Sequence, residues 1–370
     1  MIYHKKFKHY WLFWFKESNT FSIVDNHFKN YFDIFRSSLS FDDFVAKADL
    51  PSDVDEKIIY NNFKAFLKNC EIKVPKLRSK EFQLDLRKRQ LKKLYKYEHF
   101  LFTVNTDSLR LSQLFLTAIA HLKQETKGQH PNYHFDIQNI DDHLCLFLNE
   151  SLIKAVPKKD YHLIQGKFIF TLLNGLYKTH EKDWLGTLHG STIFKNEQAA
   201  LLIGTSGSGK STACALLAAH GYSVMADDMS PLSKDHFIYY NPGAISIKSG
   251  ALDLLQPYFP KLETLPSIKL NSSKGLLKYL PTRPPKTIKC TSKALILINY
   301  QPDSATNLEP ISIAEILEPL IPDSWLSPLK ANALSFMDWL KTQKFYKLTY
   351  SNPNEMIAEM DKLFDTFNTY

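Results

Sequence analysis

Cysteine is scarce: four in 370 residues (Cys70, Cys145, Cys214, Cys290), widely separated, with no C-x-x-C pair and no Cys/His spacing that fits a metal. That excludes a disulfide framework and a structural zinc site, and the four read as reduced, mostly buried thiols of a cytoplasmic protein. Glycine is scarce as well. All twelve lie at or after Gly128, and eleven fall between Gly166 and Gly275, so the first 127 residues turn without glycine and the two parts of the chain are built differently. No uncharged apolar run reaches the roughly 18 residues that span a bilayer, and Trp11-Leu12-Phe13-Trp14-Phe15 is too short for a signal-peptide core. Internal repeats and low-complexity stretches are absent too.

What is present is the composition of a folded chain: 44% apolar, 23% charged and 13% aromatic residues, with length for two or three domains at roughly 150 residues each. The net charge of +8 invites a nucleic-acid reading until it is located, because residues 71 to 96 hold ten Lys/Arg against three acids and the remainder is nearly neutral. Such a run is first a solvated face or connector and only second an attractor of acidic peptides, phosphates or nucleic acid. Neither nucleic acid nor a membrane is expected as a partner.

Three regions follow. Residues 1–72 read as a small winged-helix-like module: strands at Trp11 to Phe15 and Phe21 to Asp25, then helices carrying Phe28, Phe32 and Phe35, then Phe41 and Phe44 behind Ser40, then Ile58 to Leu67. Ser40 with Asp43 has the arrangement of a capping box. Residues 73–180 read as a basic connector and middle region, with short buried strands at Phe100 to Val104 and Leu144 to Leu148 and helices over Leu109 to Leu122 and through Ile169, Leu172, Leu173 and Leu176. Residues 181–370 carry the chemistry on an α/β pattern.

There, the apolar run Ala199 to Ile203 leads into Gly204-Thr205-Ser206-Gly207-Ser208-Gly209-Lys210-Ser211-Thr212, a complete G-x-x-x-x-G-K-[ST] match with strand, loop and helix in the required order. The glycines let successive N–H groups point at phosphate oxygens, Lys210 supplies a charge to the terminal phosphates, Ser211 offers a hydroxyl to magnesium, and the helix adds its positive end. That helix closes at Gly221. The next strand, Tyr222 to Ala226, ends in Asp227-Asp228, 17 positions after Lys210. Placed beside the loop strand, two such carboxylates divide naturally into one that holds magnesium and one that accepts a proton from an attacking hydroxyl; alternatively both bind metal or cap the following turn.

These residues resemble the HPr kinase/phosphorylase family of P-loop serine kinases and its peptide-cluster relatives. The likeness rests on Leu188-His189-Gly190, on Gly204 to Ser211 and on Met225-Ala226-Asp227-Asp228, and more weakly on Asn241 to Lys248, Lys278 to Pro281 and Asn299 to Pro302. It implies an α/β P-loop kinase domain that transfers the ATP γ-phosphate to a serine hydroxyl, with ATP and Mg2+ as cofactors. Lys210 would hold β/γ oxygens, Ser211 and Asp227 magnesium, and Asp228 would act as base. His189 would lie near the phosphates or be structural, and Lys248 would contact phosphate or be a solvated lysine. Relatives are commonly oligomeric, so a homo-oligomer is an expectation. Residues 1–72 resemble a PqqD-type domain, which implies capture of a peptide as an added strand; packing against the kinase domain is the other reading. The whole then reads as an ATP-dependent serine kinase acting on a peptide or small protein, plausibly in a natural-product peptide-modification pathway. A nucleotide-gated peptide-binding regulator and a small-molecule kinase are the alternatives.

Overall fold

The computed structural model describes residues 1–72, 82–125, 130–269 and 275–367. The chain opens with an antiparallel sheet in the order β1-β2-β3: β1 (Ile2–Phe7), β2 (Tyr10–Phe15) and β3 (Thr20–Asp25). The aromatic pattern predicts the last two; β1 is hidden by its lysines and His4. In β2 both faces are buried. Phe13 and Phe15 point into an aromatic cluster on three helices, α1 (Asn26–Ser37), α2 (Phe41–Ala48) and α3 (Glu56–Cys70), with Phe32, Phe44 and Phe63. Burial of each such ring contributes about 1.5–3 kcal/mol. Caps set the helix starts: Asp25, Ser40 and Asp55 accept N–H groups of their first turns. Asp43, one carbon shorter than glutamate, reaches the N–H of Leu39 rather than that of Ser40, at 2.9 Å.

The other face of β2 and β3 docks on the rest of the protein. Leu12, Trp14 and Phe21 join a large core shared with the two following sheets, Phe21 meets Phe336 edge-on at 5.6 Å, and Asn19 donates to the carbonyl of Leu326 at 2.9 Å. The N-terminal module is therefore packed, not tethered.

Much of residues 73–180, read above as a basic connector and middle region with two short buried strands, forms a six-stranded sheet in the order β6-β4-β5-β7-β8-β9: β4 (Leu91–Tyr97), β5 (Phe100–Thr106), β6 (Lys123–Gln124), β7 (Tyr133–Ile140), β8 (His143–Leu148) and β9 (Ser151–Pro157), of which β5 and β8 are the two expected strands. Four of the ten basic residues fall on residues 73–81, outside the described residues; in β4, Lys92 and Lys96 are exposed on the face opposite buried Tyr95 and Tyr97. Between β5 and β6, α4 (Leu109–Leu116) tightens to a 3-10 turn over Thr117–Leu122, shorter than the apolar spacing predicts. Helix α5 (Tyr161–Tyr177) closes one face through β8 and β9. Arg89 makes a bidentate pair with fully buried Asp136, at 2.8 and 2.9 Å.

The third sheet has ten strands. Its elements are β10 (Trp184–Leu188), β11 (Ser191–Lys195), β12 (Gln198–Ile203), α6 (Lys210–Ala219), β13 (Ser223–Ala226), β14 (Ser230–Ser233), β15 (Phe237–Tyr239) and, after the segment described next, β19 (Lys289–Tyr300), β20 (Asn307–Pro310), α8 (Ile313–Leu320), β21 (Trp325–Leu326), α9 (Lys330–Lys341), β22 (Lys344–Tyr350) and α10 (Pro353–Phe367). Between β15 and β19 lie β16 (Ile245–Lys248), the short α7 (Leu252–Leu255), β17 (Ser267–Lys269) and β18 (Leu276–Leu280), whose strands make a small sheet in the order β16-β18-β17. The centre is parallel, β12-β19-β22, and buried on both faces, as its unbroken apolar runs require.

One expectation needs correction. The Asp-Asp strand β13 does not neighbour β12: the order is β13-β11-β12. Strand β11 turns into β12 through Asn196 and Glu197, both at positive φ, and takes the adjacent position itself.

Candidate functional site

The glycine-rich loop runs from the end of β12 to the start of α6. Gly204, Gly207 and Gly209 all have positive φ, and the side chain of Lys210 folds back over the loop. Its ammonium is buried and donates to the carbonyls of Gly204 (2.6 Å) and Thr205 (3.1 Å); among the described residues no carboxylate pairs with it. Burial pulls this lysine below its usual range, against the opposing charges of Asp228, Asp227 and Asp323, and Lys248 adds to the fall. Two further features describe the loop. The space beside Gly207 is open to 4 Å, and the Ser208 hydroxyl is buried with no hydrogen-bond partner. Thr205 and Ser206 are exposed at the tip, and Thr212 is half-buried on α6.

Asp227, at the end of β13, is buried and gathers donors from three elements. It accepts from Ser191 at 2.5 Å, from Ser211 at 3.0 Å and from the amide of Ser246 at 2.9 Å. Burial pushes its carboxyl above the usual range, the Asp228 charge adds to this, and the donors oppose it. Ser211 and Asp227, the expected magnesium ligands, thus stand in direct contact although a strand separates β13 from β12.

Asp228 is opposite in character, with 73% of its side chain exposed. It forms the apex of a three-residue turn closed by Met229 N–H to Asp227 O at 2.8 Å, with φ of +66°. That is a strained conformation for a non-glycine residue, which aims the carboxylate out of the sheet. His189 Nδ1 lies 3.4 Å from Asp228 Oδ1, and its backbone N–H donates to Ser324 at 2.9 Å. Gly190 beside it cannot carry a side chain, since a Cβ would come within 2.5 Å of the Leu202 carbonyl. Lys248 reaches the loop at Ser206, with Nζ to Oγ of 3.3 Å.

Sequence reasoning missed Ser191, Ser246, Tyr279, Asp323 and Ser324. Ser246 sits in the Asn241 to Lys248 segment on the same β16 face as Lys248. Tyr279 lies directly opposite it on β18 and so shares that face; burial, with Asp228 and Asp227 nearby, pushes its phenol up to about 12. Asp323 and Ser324 follow α8 and carry no local signal. The set can bind a polyanion, hold a divalent cation between Ser211 and Asp227, and accept a proton at Asp228.

What fold and site define is a class: a mixed α/β chain whose glycine-rich loop joins a parallel strand to a helix beside an Asp-Asp turn. No family model matches the chain, and no curated protein does. Among solved structures, the HPr(Ser) kinase/phosphatase from Coxiella burnetii is similar over 49% of this chain and 95% of its own, at 11% identity and a TM-score of 0.22.

Proposed function

We propose that the protein is an ATP-dependent serine kinase that phosphorylates a peptide or small protein held by its N-terminal module, in a peptide-modification pathway. The observation that carries this reading is the split between two consecutive carboxylates beside a loop whose buried lysine makes no ion pair among the described residues. Asp227 is sequestered among hydroxyl and amide donors, while Asp228 is exposed and touches His189. Adjacent carboxylates in contrasting environments take different tasks.

In this reading the N–H groups of residues 204 to 212 and the Lys210 ammonium bind the ATP phosphates, with Lys248 at the rim. Ser211 and Asp227 would hold magnesium, which when bound would neutralise phosphate charge. The acceptor Ser Oγ attacks the γ-phosphorus, its proton passes to Asp228, and the bond from the γ-phosphorus to the β–γ bridging oxygen breaks to release ADP. His189 orients the Asp228 carboxylate, and Ser324 fixes the His189 backbone.

The test is Asp228→Asn. Loss of a positioned base lowers kcat by about 10²–10⁴-fold while ATP affinity is retained. If transfer is undiminished, Asp228 is not the base. ATP binding by the native chain with no transfer to any serine would assign the regulator instead.

A further inference from the structure

This chain leaves few large aromatic rings in water. Among the described residues only two are exposed, Tyr258 at 38% and Tyr300 at 47%. Tyr258 stands against His220, just past the end of α6 that lies away from the glycine-rich loop. Tyr300, in the Asn299 to Pro302 segment that has no task so far, stands at the loop itself.

Several contacts fix it there. Tyr300 ends β19, which runs parallel to β12, so it emerges at the same carboxyl edge of the sheet as the loop, where open α/β sheets bind ligands. Its N–H donates to the carbonyl of Ser208 at 3.1 Å, and the next N–H, of Gln301, donates to the carbonyl of Tyr350 at 3.0 Å. The backbone is thus tied to the loop on one side and to β22 on the other. Buried Tyr350 packs T-shaped on the Tyr300 ring, with centroids 5.6 Å apart and planes at 68°, which supports the ring without covering it. A Cβ on Gly209 would come within 3.1 Å of the Tyr300 Cβ, so glycine at the end of the loop lets the tyrosine stand this close.

The direction of a nucleotide across the loop follows from Lys210. Its ammonium folds back to the carbonyls of Gly204 and Thr205, which puts the terminal phosphates toward the start of the loop and the α-phosphate, with the nucleoside beyond it, toward Gly209 and Thr212. The sheet order β13-β11-β12-β19 then sets the two ends apart. Asp227 and Asp228 lie on one side of the loop strand and Tyr300 on the other.

We propose that Tyr300 is the platform on which the base of the bound nucleotide stacks. The loop anchors the phosphates, and the base leaves water to lie on the exposed ring. Stacking holds a base by its face, so the gain is largest for a purine. Tyr300 touches the base and no reacting atom, and it sets nucleotide affinity without entering the chemistry. The proposal rests on the loop as phosphate site in the reading above, and not on transfer to serine.

The experiment is calorimetry on the full chain with magnesium and no acceptor, using a non-hydrolysable ATP analogue and inorganic tripolyphosphate as paired probes. Tyr300→Ala should weaken the analogue by roughly 5- to 150-fold, the range for one base on one aromatic ring, and leave tripolyphosphate within about twofold. Tyr300→Phe keeps the π-face and should restore the analogue, and Tyr258→Ala should change neither probe. Unchanged melting temperatures will show that the variants fold. An analogue affinity that Tyr300→Ala leaves intact overturns the proposal. So does equal weakening of both probes, which would make Tyr300 a support of the loop and not a base contact. Failure of tripolyphosphate to bind the native chain overturns the phosphate site and the platform together, whereas absence of phosphoryl transfer with both probes bound as expected overturns the kinase reading alone.

Discussion

Gly207 and Gly221 share a backbone conformation and differ in what each borders. Their φ values are +95° and +90°, and a Cβ on either meets nothing within 4 Å. Alanine at either position therefore adds left-handed strain of about 1–2 kcal/mol and no clash. Gly221 lies just past α6 and borders no site residue, whereas Gly207 faces the open side of the loop. If that space belongs to phosphate oxygens, a methyl at Gly207 displaces them from at least two amides. At about 1.5 kcal/mol for each charge-assisted bond, the loss is about 3 kcal/mol, or more than about 100-fold in Kd. Urea denaturation of Gly207→Ala and Gly221→Ala should give matching stability losses. Calorimetry with magnesium and a non-hydrolysable ATP analogue should then separate them, with native affinity for Gly221→Ala and an affinity at least about 100-fold weaker for Gly207→Ala. Equal nucleotide affinity in the two variants would refute the assignment of the loop as the phosphate cradle.

Two further outcomes follow from packing and charge. Arg89→Ala strands the fully buried carboxylate of Asp136 and should cost about 3–5 kcal/mol in urea denaturation, while Arg89→Met/Asp136→Leu recovers most of it. Burial opposes ionisation of Asp361, but Lys195 (2.7 Å) and the Tyr222 hydroxyl (2.6 Å) outweigh it and hold the carboxyl below its ordinary 3.8. A depressed acid stabilises the fold above its ordinary pKa and loses that contribution as pH falls through its folded value. Because the pair is half-exposed, Asp361→Asn should cost about 0.5 kcal/mol near neutrality, and the two proteins should converge as pH falls below the ordinary carboxylate range and Asp361 protonates.

The glycine-rich loop was legible because its constraint is local: three glycines, a lysine and a serine in one octet between an apolar strand and a helix. The N-terminal helices were legible from Phe spacing and, for α2, from the cap at Ser40. Of the middle sheet only β5 and β8 were, and the reason lies in its turns. Its hairpins close on Glu98, Asp141, and Asn149 with Glu150, all at positive φ, where Asn-Gly or Asp-Gly would have announced them. Lys8 does the same between β1 and β2, and Asn196 with Glu197 between β11 and β12, which concealed the strand that separates β13 from the loop strand. The missed site residues have a different cause. Ser191, Ser246 and Ser324 are single hydroxyls brought by three different segments to Asp227 and His189, and no spacing along the chain encodes that meeting. Docking of Leu12, Trp14 and Phe21 on α8 and α9 was equally invisible, since an apolar strand face does not name its partner.

The central claim is that phosphate moves from ATP to a serine. Mass spectrometry of a small-peptide extract, incubated with the full chain, magnesium and ATP beside Lys210→Ala, tests it directly. The account predicts a phosphoserine peptide that appears with the native chain and is absent with the variant. Tight ATP binding with no lysine-dependent phosphorylation of any peptide or protein would contradict it.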